Sequence, residues 1–270
     1  MKRKINLLTG MLLFLSTISF YGQYQKEQFE IISKEMKNEI FTIEIVLPNG
    51  YDSTKKYPII YFTDWWFASH ITIPIYEILE VSNNIEPIII VGIKRKSSVS
   101  AKDWNSNRRI DLTPTNVPEK HKLSGGSKNF LSFIKNELIP DVEKKYPSQI
   151  EKRGYSGYSL GGLFGTYILL NEPDLFKKYL IGSPYLMYDD YLLSKELVKM
   201  KPEKLSSIKS IFLAVEEEGD QLKAFEDLRE SLIKNKSSNL EFESVIIIDE
   251  DHYTAIPSTI LKGLKFLYAN

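Results

Sequence analysis

The chain has 270 residues, 43% hydrophobic and 26% charged, the composition of a soluble globular protein long enough to bury one sizeable core. Lys+Arg and Asp+Glu stand at 35 each, so no net field recommends a nucleic acid or an acidic lipid surface as partner. Cysteine is absent, which excludes disulfide staples, thiolate metal sites, a cysteine nucleophile and a lipid-modified N-terminal cysteine.

The N-terminus reads as a targeting segment. Lys2, Arg3 and Lys4 form a basic region, Leu7 to Phe20 is apolar apart from small polar residues, and Tyr21-Gly22-Gln23 returns to polar sequence. The stretch is short for a membrane anchor and suits a signal peptide over residues 1–22, with a mature domain over residues 23–270. Its removal takes three basic residues and no acidic one. The expected product is soluble, secreted or periplasmic, with no stable membrane insertion after cleavage.

No repeat or low-complexity linker divides the mature chain, so a single domain is expected. Phe29 to Lys34 and Glu39 to Leu47 are rich in apolar and β-branched residues, and Pro48-Asn49-Gly50 closes the second run as a turn. Tyr57 to Thr63 and Pro87 to Ile93 are short continuous apolar runs, suited to strands buried on both faces of a parallel sheet. Between them Ile73 to Val81 reads as a helix.

Lys94 to Ser127 is polar, basic and aperiodic, and is expected to be a long loop over the carboxyl edge of the sheet. Lys128 to Tyr146 has helical apolar spacing, with Pro140 marking a kink or break. Lys152 to Ser156 leads into Gly157-Tyr158-Ser159-Leu160-Gly161-Gly162, and Leu163 to Leu170 follows as a helix. Tyr179 to Gly182, Ser210 to Val215 and Phe242 to Ile248 are further strands; Leu222 to Ile233 and Thr259 to Tyr268 are helices. Strands alternating with helices to the C-terminus predict an α/β fold: an open, mostly parallel sheet with helices on both faces.

The chemistry centres on Gly157-x-Ser159-x-Gly161. A serine on a sharp strand-to-helix turn needs neighbours without Cβ, and the turn lifts its hydroxyl above the sheet at a helix N-terminus. A glycine-rich turn with no chemistry is the bland alternative. Serine needs a base, and His252 follows the last strand, which places it at the same sheet edge and in the chain order Ser…acid…His. His121 reads as a solvated loop residue, and His70 follows an aromatic loop. The acid is expected after Val215 in Glu216-Glu217-Glu218-Gly219-Asp220, with Glu218 ranked ahead of Asp220 and the remaining acids solvated. The oxyanion would be held by the backbone N–H of Leu160 and one from Asp64-Trp65-Trp66-Phe67, hence Trp65 or Trp66.

No metal-ligand cluster, P-loop or dinucleotide-binding glycine pattern is present, so neither a metal nor a cofactor is implied. The basic groups Lys94-Arg95-Lys96 and Arg108-Arg109 are either a solvated loop or, through Arg108 and Arg109, a clamp for an anionic or catechol-bearing substrate.

With these residues in place the chain resembles the putative-esterase family of α/β hydrolases, which includes S-formylglutathione hydrolase, feruloyl esterases, mycolyltransferases and siderophore esterases. The resemblance runs from about Phe41 to the C-terminus. It is carried by Tyr57 to Asp64, Arg108 to Pro114, Phe130-Leu131, Glu137 to Pro140, Gly157 to Gly165, Glu172 to Phe176 and Ser183-Pro184. The arginine loop and the Ser-Pro step are most similar to the siderophore-esterase branch. Trp65 and Glu216 depart from the family, which usually has glycine at both places.

The resemblance implies a serine ester hydrolase acting through an acyl-enzyme on a small-molecule ester of the enterobactin or salmochelin type. A general carbohydrate-linked or small acyl (acetyl or feruloyl) esterase is the alternative within enzymes. A catalytically silent hydrolase-fold binding protein is the alternative outside them, and an intact serine elbow with a placed histidine speaks against it.

Overall fold

The computed structural model describes residues 24–217 and 221–270. The expected signal peptide, Glu218 and Asp220 lie outside the described residues.

Alternating side chains build one sheet. β1 (Lys26–Ser33) and β2 (Glu39–Val46) form an antiparallel hairpin, and β2 also pairs antiparallel with β4 (Ile89–Arg95). β3 (Ile59–Phe62), β5 (Gly154–Tyr158), β6 (Lys178–Gly182), β7 (Ser210–Glu216) and β8 (Glu241–Ile247) continue in parallel, giving the order β1-β2-β4-β3-β5-β6-β7-β8. Ile59, Tyr61, Tyr179, Ile181, Ile211 and Leu213 serve one apolar layer; Ile60, Phe62, Leu180 and Phe212 serve the other. That period of two is what puts a core on each face.

Helices α1 (Trp65–Val81) and α8 (Ala255–Tyr268) cover the second face. The first face takes α5 (Leu160–Asn171) and α7 (Gln221–Asn235). Leu193 and Leu197 of α6 (Tyr188–Leu197), a helix the sequence pattern did not show, join the same core. The helical segment expected over Lys128 to Tyr146 is α3 (Ser127–Phe133) and α4 (Ile139–Lys145), joined by one π-helical turn over Ile134–Leu138. Pro140 sits at the start of α4 with no N–H to donate, and the Ile139 amide reaches back five residues to Ile134 O instead.

The segment Lys94 to Ser127 is not the long loop expected. It contains α2 (Ala101–Leu112), opened by Ser100, whose hydroxyl accepts the Asp103 N–H at 3.2 Å. Apolar periodicity missed it because α2 docks through charge. Arg95 on β4 donates from Nε and Nη2 to Asp111 at 2.8 and 2.6 Å, both side chains being buried, and Arg95 Nη1 lies 2.9 Å from Glu39. Thr113 Oγ1 then donates to Arg109 O at 2.6 Å and accepts the Gly125 N–H at 2.7 Å, which closes the end of the helix.

Among the described residues no helix is long and apolar enough to cross a membrane.

Asp111→Ala would leave Arg95 buried with only the half-exposed Glu39. It is expected to lower the unfolding free energy by about 3 kcal/mol in urea titrations. Lys96→Ala, which breaks an exposed pair with Glu30, should change it far less.

Candidate active site

Ser159 joins β5 to α5 with φ 59° and ψ −113°, a conformation side-chain-bearing residues rarely hold. Its N–H donates to Gly182 O at 2.9 Å and its carbonyl accepts the Tyr185 N–H at 3.1 Å, so neighbouring turns clamp it on both sides. The glycines around it answer to crowding. A Cβ on Gly157 would lie 2.4 Å from Gly161 O, and one on Gly161 would lie 2.8 Å from Thr63 Oγ1.

Ser159 is the N-cap of α5, where a serine hydroxyl ordinarily bonds the helix; here it makes no cap bond. The oxygen is left for chemistry. Leu160 opens α5, so its amide has no partner four residues back and adds to the positive end of the helix.

His252 sits in the turn between β8 and α8. Asp251 Oδ1 accepts the N–H groups of Tyr253 and Thr254 at 2.7 and 2.9 Å, fixing the backbone on the far side of the histidine. Its Nδ1 lies 2.8 Å from Oε1 of Glu216, the last residue of β7 and buried. Gln221 donates to Glu216 Oε1 at 3.3 Å and Tyr158 Oη to Oε2 at 3.4 Å. Burial pushes the Glu216 carboxyl up, but hydrogen bonds from His252, Ser183 and its own backbone outweigh it and hold the group below the usual carboxylate range. An ionised Glu216 can only accept, so it receives the hydrogen bond of a proton that stays on Nδ1 and leaves Nε2 as the basic nitrogen.

Ser159 and His252 line one cavity of about 140 Å³, with Phe62, Leu180, Ile256 and Ile260 among its apolar walls. Among the described residues the Ser159 hydroxyl makes no hydrogen bond to the imidazole; such bonds commonly tighten once substrate is bound.

The remaining expected residues separate. Glu218 and Asp220 are outside the described residues; among those described, the carboxylate that meets His252 is Glu216, the residue that departs from the family's usual glycine. The segment expected to be an oxyanion loop is the first turn of α1. Asp64 caps it at φ 60°, its carbonyl accepts the amides of Phe67 and Ala68 at 2.9 and 3.0 Å, and Trp65 and Trp66 supply the opening amides. Their indoles do not line the Ser159 cavity: Trp65 is fully buried where a Cβ on Gly92 would fall, and Trp66 stacks on Trp104 at 5.7 Å.

Arg108 does line it, but its fork is engaged. Nε and Nη2 donate to Asp64 at 2.7 and 2.6 Å, Nη2 also lies 3.2 Å from Tyr158 O, and the guanidinium sits 4.7 Å over the Trp104 ring. Arg109 is not among the lining residues. His70 bonds Ser69 at 3.3 Å on α1 and His121 stacks on Tyr188, both away from the cavity. Among the described residues no group of three or more histidines and carboxylates could hold a metal.

A mostly parallel sheet wrapped in helices, with a serine elbow and a histidine–carboxylate pair at its carboxyl edge, defines an α/β hydrolase. The chain belongs to the putative esterase family, whose model, described as Putative esterase, matches residues 33–240, and it is a carboxylic ester hydrolase. It is 26% identical over 261 residues to the ferri-bacillibactin esterase BesA of Bacillus subtilis (strain 168), covering 88% of each chain. It is 27% identical over 176 residues to the apo-salmochelin esterase of Escherichia coli O6:H1, covering 62% of this chain and 53% of that one. The fold matches the crystal structure of the BES protein from Bacillus cereus with a TM-score of 0.77 and 24% identity, covering 100% and 99% of the two chains.

Because the folded Glu216 value lies below its ordinary 4.5, the carboxylate adds stability above that pH which is lost as the pH falls through the folded value. Glu216→Gln should therefore flatten the acid side of unfolding free energy against pH, read by urea denaturation from about pH 3 to 7. An unchanged slope would mean that Glu216 is not held ionised in the fold.

Proposed function

We propose that the chain is an exported serine esterase that cleaves siderophore-type esters, with Ser159 as nucleophile, His252 as base and Glu216 as the acid of the triad. The observation that carries the esterase chemistry is the strained Ser159 turn sharing one cavity with the His252–Glu216 pair. The substrate class is supported by the similarity to BesA along most of both chains. Export is supported by the basic and apolar run over residues 2–20.

In this scheme Ser159 Oγ attacks the ester carbonyl as His252 Nε2 takes its proton. The Leu160 amide and an opening amide of α1, from Trp65 or Trp66, hold the negative oxygen. Collapse expels the alcohol, which takes the proton from His252, and water then repeats the sequence on the acyl-enzyme. Glu216 keeps the imidazole in one tautomer and stabilises its charged form.

A small acyl esterase is the second reading, favoured by a compact cavity whose arginine is already neutralised by Asp64.

Ser159→Ala should abolish both turnover and labelling by a fluorophosphonate probe while the circular dichroism spectrum is kept. His252→Ala should lose nearly as much, with the double variant little worse than either. Turnover surviving in clean Ser159→Ala protein would remove the assignment.

Arg108 and Arg109 are separated by comparing a catecholate trilactone with p-nitrophenyl acetate. Arg108→Ala frees Asp64 and the carbonyl next to Ser159, so it should lower kcat/KM on both esters. Arg109→Ala should leave the acetate unchanged, and a rise in KM confined to the catecholate would restore Arg109 as a substrate clamp.

A further inference from the structure

Ser183 follows β6 and is completely buried, with φ 37°. Two local forces oppose that backbone. A side chain in the left-handed region crowds its own peptide, and Pro184 favours extended backbone in the residue before it. Glycine would relieve the first at no steric cost. A serine kept there calls for a reason in its hydroxyl, since strain of this kind gathers where function over-determines the geometry.

The hydroxyl has such a place. Ser183 Oγ lies 3.2 Å from His252 Nδ1, the same nitrogen that meets Glu216 at 2.8 Å. Nδ1 carries one hydrogen, which is committed to the carboxylate at the shorter distance. Ser183 therefore faces it with a lone pair and turns its own O–H toward the Glu216 carboxylate or the Tyr158 hydroxyl, which close the same cluster. The backbone is held independently of this contact, because the Ser183 N–H donates to Ala214 O at 2.7 Å.

We propose that Ser183 is a positioning residue of this esterase, its strained backbone presenting a hydroxyl that brackets His252 Nδ1 together with Glu216 and fixes the imidazole plane and tautomer. The proposal rests on the assignment of His252 as base. Ser183 touches neither substrate nor reacting atoms; it acts through the imidazole. Loss of its hydroxyl should therefore appear in kcat, with KM for a short aryl ester nearly unchanged.

Three variants test it on the mature protein with p-nitrophenyl acetate and butyrate. Ser183→Ala keeps the backbone strain and removes only the hydroxyl; kcat is expected to fall on the order of tenfold with KM within about twofold. Ser183→Gly removes hydroxyl and strain together, so its Tm should equal or exceed that of the parent while kcat falls as in Ser183→Ala. Opposite movement of stability and turnover is something a purely structural serine would not produce. His252→Ala is the reference. If it is inactive while Ser183→Ala and Ser183→Gly both turn over at the parental rate, the positioning role is overturned and the catalytic assignment stands. If His252→Ala itself keeps turnover, the catalytic assignment fails first.

Discussion

The candidate site depends on the register among β5, β6, β7 and β8. At the carboxyl edge each chain reaches one residue past its strand to bond its neighbour: Ser159 N–H to Gly182 O, Ser183 N–H to Ala214 O, Glu217 N–H to Ile247 O. Those bonds bring Ser159, Ser183 and Glu216 to one edge, within reach of a histidine on the turn after β8. A slip of one residue between any two strands would turn Glu216 or Ser183 to the other face of the sheet. The apolar alternation that fills both core layers is thus also what aligns the polar groups, and folding energy and site geometry come from one pattern.

Charge holds the wall of the site where apolar packing does not. α2 has few buried residues of its own, yet Arg95–Asp111 ties its end to β4 and Arg108–Asp64 ties its middle to the start of α1. Both pairs are bidentate, which fixes direction as well as distance. Arg108 also reaches the carbonyl of Tyr158, one residue before Ser159. The helix that closes the cavity is thereby keyed to the turn that carries the serine. Buried ion pairs are costly to desolvate, and geometric definition is the return most evident here.

Part of the backbone strain lies at the same edge, the rest in turns elsewhere such as Lys37-Asn38 and Asp189 to Tyr191. Asp64, Ser159, Ser183 and Asp249 all have positive φ and none is glycine. Three of them sit directly after parallel strands or cap the helix that follows, where the chain must turn sharply to send a helix back across the sheet. Glycine appears instead where other atoms press close, backbone at Gly157 and side chains at Gly161. The division is physical: crowding from outside selects against any Cβ, whereas a strained φ can be borne by a residue whose side chain has work to do.

By itself the sequence determined what is local. Continuous apolar runs gave the central strands within a residue or two, Gly-x-Ser-x-Gly between strand and helix gave the elbow, and chain order put His252 at the same edge. Each of these is written in the residues that form it, through period, propensity and turn chemistry. Tertiary structure decided what comes from residues far apart in the chain. α2 was illegible because an arginine on β4 and an aspartate sixteen residues on supply its anchor, and such a pair has no period. Glu216 is one of several neighbouring acids in the sequence, and its contact with His252 depends on where β7 ends relative to the β8 turn. Arg108 is a solvated or substrate-clamping residue by sequence, and only the fold places Asp64 in its fork. Side-chain roles set by partners distant in sequence appear only once the chain has closed on itself.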